Sequence, residues 1–112
     1  MSSYRDLKVW QLSFSLARDV YQLAKNLPAS EKFGLSSQIQ RCAVSIPSNI
    51  AEGQQRNGRK EFIQFLGIAR GSAAELSTQL LLIEEIYKIN TKDLVIKTEE
   101  LQKMLYSLQN KL

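Results

Sequence analysis

Ser45-Ile46-Pro47-Ser48-Asn49-Ile50-Ala51-Glu52-Gly53 is the stretch on which the reading of this chain turns. Apolar residues recur in it at helical spacing, yet Pro47 would remove a backbone donor and clash with the preceding turn, at a cost of about 3 kcal/mol. Its serines and closing glycine look like a functional loop. Helical phasing instead sends Ile46 and Ile50 to a core and Ser45, Asn49 and Glu52 to a polar seam. The stretch is therefore read as mid-helix, with a kink at Pro47 and neighbouring hydroxyls satisfying the carbonyl it frees.

Working outward, the chain reads as four helices, at about 4–26, 31–55, 59–89 and 92–111. Ser3 and Asp6 resemble a capping pair at the first start. The first helix carries two apolar stripes. One runs through Leu7, Trp10, Phe14, Ala17, Tyr21 and Ala24, the other through Val9, Leu12, Leu16, Val20, Leu23 and Leu27. Two faces want two partners, so one stripe is expected in the bundle core and the other against a different subunit. Pro28 stops this helix, and Ser30 with Glu31 opens the second. Asn57-Gly58 ends the second helix, both residues tolerating left-handed backbone. Asn90-Thr91 separates the third from the fourth, with Thr91 as a cap. Glu84/Lys88 and Glu99/Lys103 are placed to pair at four-residue spacing. The fourth helix, marked by Leu94, Leu101, Leu105, Leu108 and Leu112, is expected to be the least buried. Short connections imply antiparallel neighbours, hence an all-α, up-down-up-down bundle forming one domain over residues 1–112.

Composition removes several function classes. At 112 residues the chain can bury a core without a disulfide or a structural metal. It has no histidine and one cysteine, Cys42. Zinc sites of the usual type and Ser-His-Asp or Cys-His nucleophiles are therefore excluded. Cys42 is read as a small core residue, not a reactive thiol. The longest apolar run, Leu80-Leu81-Leu82-Ile83, is far short of a membrane span, and the charged start lacks a signal-peptide core, so a cytoplasmic protein is expected. Gly53 to Lys60 nearly matches a phosphate-binding loop. It has Arg59-Lys60 where Lys then Ser or Thr is required, and a helix precedes it where a strand should. Gly67 and Gly71 are read as small residues that admit a neighbouring backbone.

Two groups of polar residues remain. Gln38, Arg41, Ser45, Ser48/Asn49 and Glu52 share a face of the second helix, which reads either as a solvated face or as a buried or interfacial network in which Arg41 pairs with a carboxylate such as Glu75. Glu52 and Glu75 are the one imaginable acid/base couple, and nothing else supports catalysis, so no enzyme, cofactor or metal is expected. The second group is basic. The net charge is +4, and up-down topology gathers Arg5, Lys8, Arg56, Arg59, Lys60 and Lys111 at one pole against Asp6, Glu52 and Glu61. The opposite pole is balanced. Repeated around a symmetric oligomer, such a pole becomes a basic ring able to attract phosphates.

Gly34-Leu35-Ser36-Ser37-Gln38-Ile39-Gln40-Arg41, the Ser45–Gly53 stretch, Glu61-Phe62-Ile63-Gln64-Phe65-Leu66, and Ile68-Ala69-Arg70-Gly71-Ser72 through Glu75-Leu76 together resemble a bacterial four-helix-bundle family, the 23S rRNA intervening-sequence proteins. Leu7-Lys8-Val9-Trp10-Gln11 also fits, and only the fourth helix lacks distinctive residues. The resemblance implies a small helical bundle that assembles as a ring-shaped homopentamer, encoded within rRNA genes or in similar free-standing genes, with no established enzymatic activity. A related fold serves diversity-generating retroelements, where a basic pentamer binds a reverse transcriptase and nucleic acid. The expectation is a non-enzymatic oligomer that contacts RNA or DNA through Arg5, Lys8, Arg56, Arg59 and Lys60, with Arg41, Ser45, Asn49, Glu52 and Glu75 as its structural seam. The alternatives are a protein–protein scaffold without nucleic acid and a reverse-transcriptase accessory protein.

Overall fold

The computed structural model describes residues 3–112, and among them there are four long helices and no strand. They are α1 (Lys8–Ala24), α2 (Leu35–Gln55), α3 (Arg59–Tyr87) and α4 (Lys92–Lys111). Each helix packs against two others, in the cyclic order α1, α2, α3, α4, and neither diagonal pair makes close contact. The result is an elongated bundle of 43 × 21 × 19 Å. One core runs along it, with Leu16 and Val20 from α1, Ile39, Ile46 and Ile50 from α2, Leu66, Leu76, Leu80 and Ile83 from α3, and Leu101 and Leu105 from α4, all fully buried.

The helix ends differ from the sequence expectation. Tyr4–Asp6 forms a separate 3-10 turn capped by the Ser3 hydroxyl, which accepts from the Arg5 N–H at 3.1 Å. Leu7 is then extended and buries its side chain, so α1 begins only at Lys8. Anchoring Leu7 in the core outweighs continuing one helix through it. Similarly, Ser30 does not cap α2. Ala29–Glu31 is a 3-10 turn, and the Glu31 carboxylate reaches forward to accept the Leu35 N–H at 3.0 Å. At the far end of α3, Lys88 takes a left-handed conformation, φ 57°. That swings it off the helix face, and the expected Glu84–Lys88 pair is not formed. Glu84 instead accepts from the Thr91 N–H at 3.0 Å, while the Thr91 hydroxyl turns back toward the Leu80 carbonyl at 3.1 Å. Glu99–Lys103 is likewise not among the ion pairs of the described residues, which are Arg56–Glu52, Arg56–Glu61 and Lys97–Asp19.

α2 passes through Pro47 as one helix. The Ser45 hydroxyl donates to the Cys42 carbonyl at 2.6 Å, not to the Ala43 carbonyl that the proline leaves without its donor. Pro47 itself is buried. Gly53 explains the close approach of α2 and α3 near their connection. A Cβ there would lie 2.5 Å from the Cβ of Phe65 and 3.2 Å from the Phe62 ring. The turn itself uses Gly58 at φ 132°, while Asn57 keeps a negative φ. Beside Gly67 the Gln109 side chain occupies the space a Cβ would face, whereas a Cβ on Gly71 would meet nothing within 4 Å.

Of the two stripes on α1, the one through Val9, Leu16, Val20 and Leu23 enters the core. The other is split. Leu7, Ala17 and Ala24 are buried, but Phe14 is 51% and Tyr21 45% exposed. α4 buries only Thr98, Leu101 and Leu105.

Candidate functional site

The basic pole is assembled from four segments. Arg5 lies in the opening 3-10 turn and Lys8 in the first turn of α1. Arg59 and Lys60 open α3, and Lys111 closes α4. All five are exposed. Lys8 and Lys111 flank one cleft of about 250 Å³ between α1 and α4, floored by Leu7, Val9 and Met104. Arg59 and Lys60 take part in none of the ion pairs among the described residues. They also sit where the α3 dipole is already positive, a placement that disfavours the helix and favours an anion.

Arg56 differs from the other members of the expected set. Its guanidinium donates to Glu52 at 2.7 Å, lies 3.9 Å from Glu61, and covers the Phe65 ring at 5.1 Å. The hydrogen bond to Glu52 is the main reason its charged form is favoured. Arg56 therefore fastens the α2–α3 turn, with its charge already engaged. The same clasp draws Glu52 away from the seam.

The rest of the seam lies in the open, not in the core. Arg41, Ser45, Asn49 and Glu75 line a groove of about 690 Å³ between α2 and α3. Arg41 and Glu75 are both exposed and form no ion pair with each other among the described residues. The Asn49 amide donates to the Ser45 carbonyl at 2.7 Å. Since Glu52 is held by Arg56 and does not line this groove, it forms no joint site with Glu75. Cys42 borders the groove with its thiol donating to the Ser72 carbonyl at 3.1 Å, and burial, with Glu75 nearby, pushes its pKa up to about 12.

Gln79 was not singled out in the sequence, and the aromatic face of the first helix was marked there only as one of two apolar stripes. Gln79, 6% exposed, lines the groove, and its Oε1 has no hydrogen-bond partner. On the adjacent face, Tyr4 meets Trp10 edge to face and Trp10 stacks on Phe14, with centroids 5.4 and 4.9 Å apart. These rings line a second groove of about 480 Å³ between α1 and α2, with Tyr21, Val44, Pro47 and Arg18. The signal for this face was the exposed half of the split α1 stripe.

The family model described as 23S rRNA-intervening sequence protein matches residues 5–107, nearly the whole described chain. The chain belongs to this family. A solved structure bears out the fold of this member of the 23S rRNA-intervening sequence protein family. A protein of unknown function from Bacteroides thetaiotaomicron, described as belonging to the S23 ribosomal protein family, is 30% identical with a TM-score of 0.82, over 90% of this chain and 97% of that one. No functionally curated protein matches the sequence. Among the described residues no helix is long and apolar enough to cross a membrane.

Proposed function

We propose that this member of the 23S rRNA-intervening sequence protein family is a non-enzymatic, cytoplasmic, ring-forming oligomer, with a pentamer as the expected size. Its basic pole engages the phosphate backbone of RNA or DNA. The observation that carries this reading is the placement of Arg59 and Lys60. Two cations stand together in the first turn of α3, outside any ion pair of the described residues. Ordinary surface charges favour stability at a helix start by being negative. Arg5, Lys8 and Lys111 extend the same end of the bundle, and a ring multiplies each cation by the number of subunits. Contacts to phosphates supply affinity without sequence information, so the expected binding is generic and salt-sensitive.

The test is binding of a labelled generic RNA and a generic DNA at low and moderate salt, by fluorescence anisotropy. The expected result is affinity that falls steeply with salt and weakens when Arg59 and Lys60 become glutamine. Absence of binding at low salt would turn the reading to a protein–protein scaffold, which the exposed apolar faces of α1 and α3 also favour. A reverse transcriptase remains a partner to assay by co-purification.

A further inference from the structure

The exposed large hydrophobic residues are not scattered evenly. Phe14, Tyr21 and Val44 line the α1–α2 groove and Phe33 and Ile68 the α2–α3 groove, with Leu82 and Ile86 in helical phase with Ile68, while Leu81 and Ile96 lie between α3 and α4 and Tyr106 on α4. On α3, Ile68, Glu75, Gln79, Leu82 and Ile86 recur at helical spacing, so they form one stripe with a polar middle and apolar ends. Phe33, 89% exposed, continues it beyond the start of α2. An apolar surround enclosing a polar centre is interface anatomy, not an ordinary solvated face.

The polar centre is incomplete. Gln79 Nε2 stands 3.4 Å from Glu75, which orients the amide and leaves the buried Oε1 without a donor. An unmet buried acceptor weakens the fold that holds it. Beside it, Glu75 is exposed and takes part in no ion pair among the described residues. An exposed carboxylate suits a guanidinium, which offers five donors in a planar fork. Arg41 lines the same groove without pairing with Glu75, and the neighbouring α1–α2 face carries a second such group. Arg18 is exposed, outside every ion pair of the described residues, and it is the charged residue among the aromatic groups lining that groove.

We infer that the α1–α2 aromatic face of one copy docks on the α2–α3 groove of the next, with Arg18 entering to bond the exposed Glu75 carboxylate. This rests on the oligomeric reading proposed above and assigns its contact. The joined surfaces differ, so the contact is heterologous and repeats from copy to copy. The two faces adjoin at α2, and adjacent sides of a four-helix bundle look outward about 90° apart. A contact joining adjacent faces turns each copy by a comparable angle, which closes rings of about four or five members. Opposite faces would have built a filament.

Charge reversal tests this contact. Sedimentation velocity on the full chain reads the assembly of wild type, Arg18→Glu, Glu75→Arg and the double variant. Each single reversal is expected to raise the protomer concentration needed for assembly about tenfold or more, and the double variant to restore it. Both side chains are exposed, so helical circular dichroism should persist. If a reversal lowers the melting point, Arg18→Gln and Glu75→Gln provide the same reading. A monomeric wild type removes the oligomer reading and this contact with it. An assembled wild type whose single variants stay assembled, or a double variant that fails to recover, overturns the contact alone.

Discussion

At the scale of single residues, the signature stretch works by packing. Pro47 costs a helical hydrogen bond, and burial of its ring against the α1–α2 groove offsets that cost. Gly53 is helical, and its missing side chain is what lets Phe62 and Phe65 of α3 close on α2. Gly53→Ala is therefore expected to overpack the contact and destabilise the fold by about 1–3 kcal/mol, measured by urea denaturation. Adjacent chemistry is equally quiet. With its pKa near 12 and its Sγ bonded to the Ser72 carbonyl, Cys42 has almost no thiolate at neutral pH. Its alkylation at about pH 8 should be more than a hundredfold slower in the native chain than in denaturant. Gly53 and Cys42 show two degrees of legibility. The apolar phase around Cys42 announced a buried thiol, whereas the need for glycine at 53 depends on where α3 lies.

At the scale of elements, the helix ends are held by carboxylates reaching from neighbouring turns. Glu31 accepts from the Tyr87 hydroxyl and the Leu35 N–H, and these bonds, in that order, hold its pKa below the ordinary 4.5. The same hydrogen bond raises the Tyr87 pKa. Glu84 is lowered likewise, chiefly by the Thr91 N–H and then by its hydroxyl. A folded-state pKa below the unfolded value stabilises the fold above about 4.5, and that contribution is lost as pH falls through the depressed value. The melting temperature should therefore drop between about pH 5 and about pH 3, and the drop should be smaller in Glu31→Gln and Glu84→Gln. Sequence spacing marked Ser3, Ser30 and Thr91 as caps, and only Ser3 caps with its own hydroxyl. Local rules find a polar side chain near a helix start. They do not see that Tyr87, 56 residues away, holds Glu31 in place.

At the scale of the whole molecule, topology turns scattered charges into a pole. Arg59→Gln with Lys60→Gln is expected to reduce the salt dependence of nucleic-acid binding by about two phosphate contacts per protomer, read as the slope of log affinity against log salt. Arg56→Gln should leave that slope nearly unchanged, because Glu52 and Glu61 already engage its charge. The seam shows how far linear spacing reaches. Arg41, Ser45 and Asn49 do share a face, as helical phase requires, but that face is a groove open to solvent. Whether a face is buried depends on which helix covers it, and the four helices of the chain leave this groove uncovered.

The sequence by itself determined the helical class, the family and most of the core, because apolar period and small-residue placement are local properties written directly in residue order. Tertiary structure alone decided which α1 stripe is inside, that Arg56 is clasped while Arg59 and Lys60 are not, and that Gln79 keeps an acceptor unmet. Each of these depends on the distance between atoms from different helices. Such distances are set by how four amphipathic faces settle against one another, and no window of a single helix contains them.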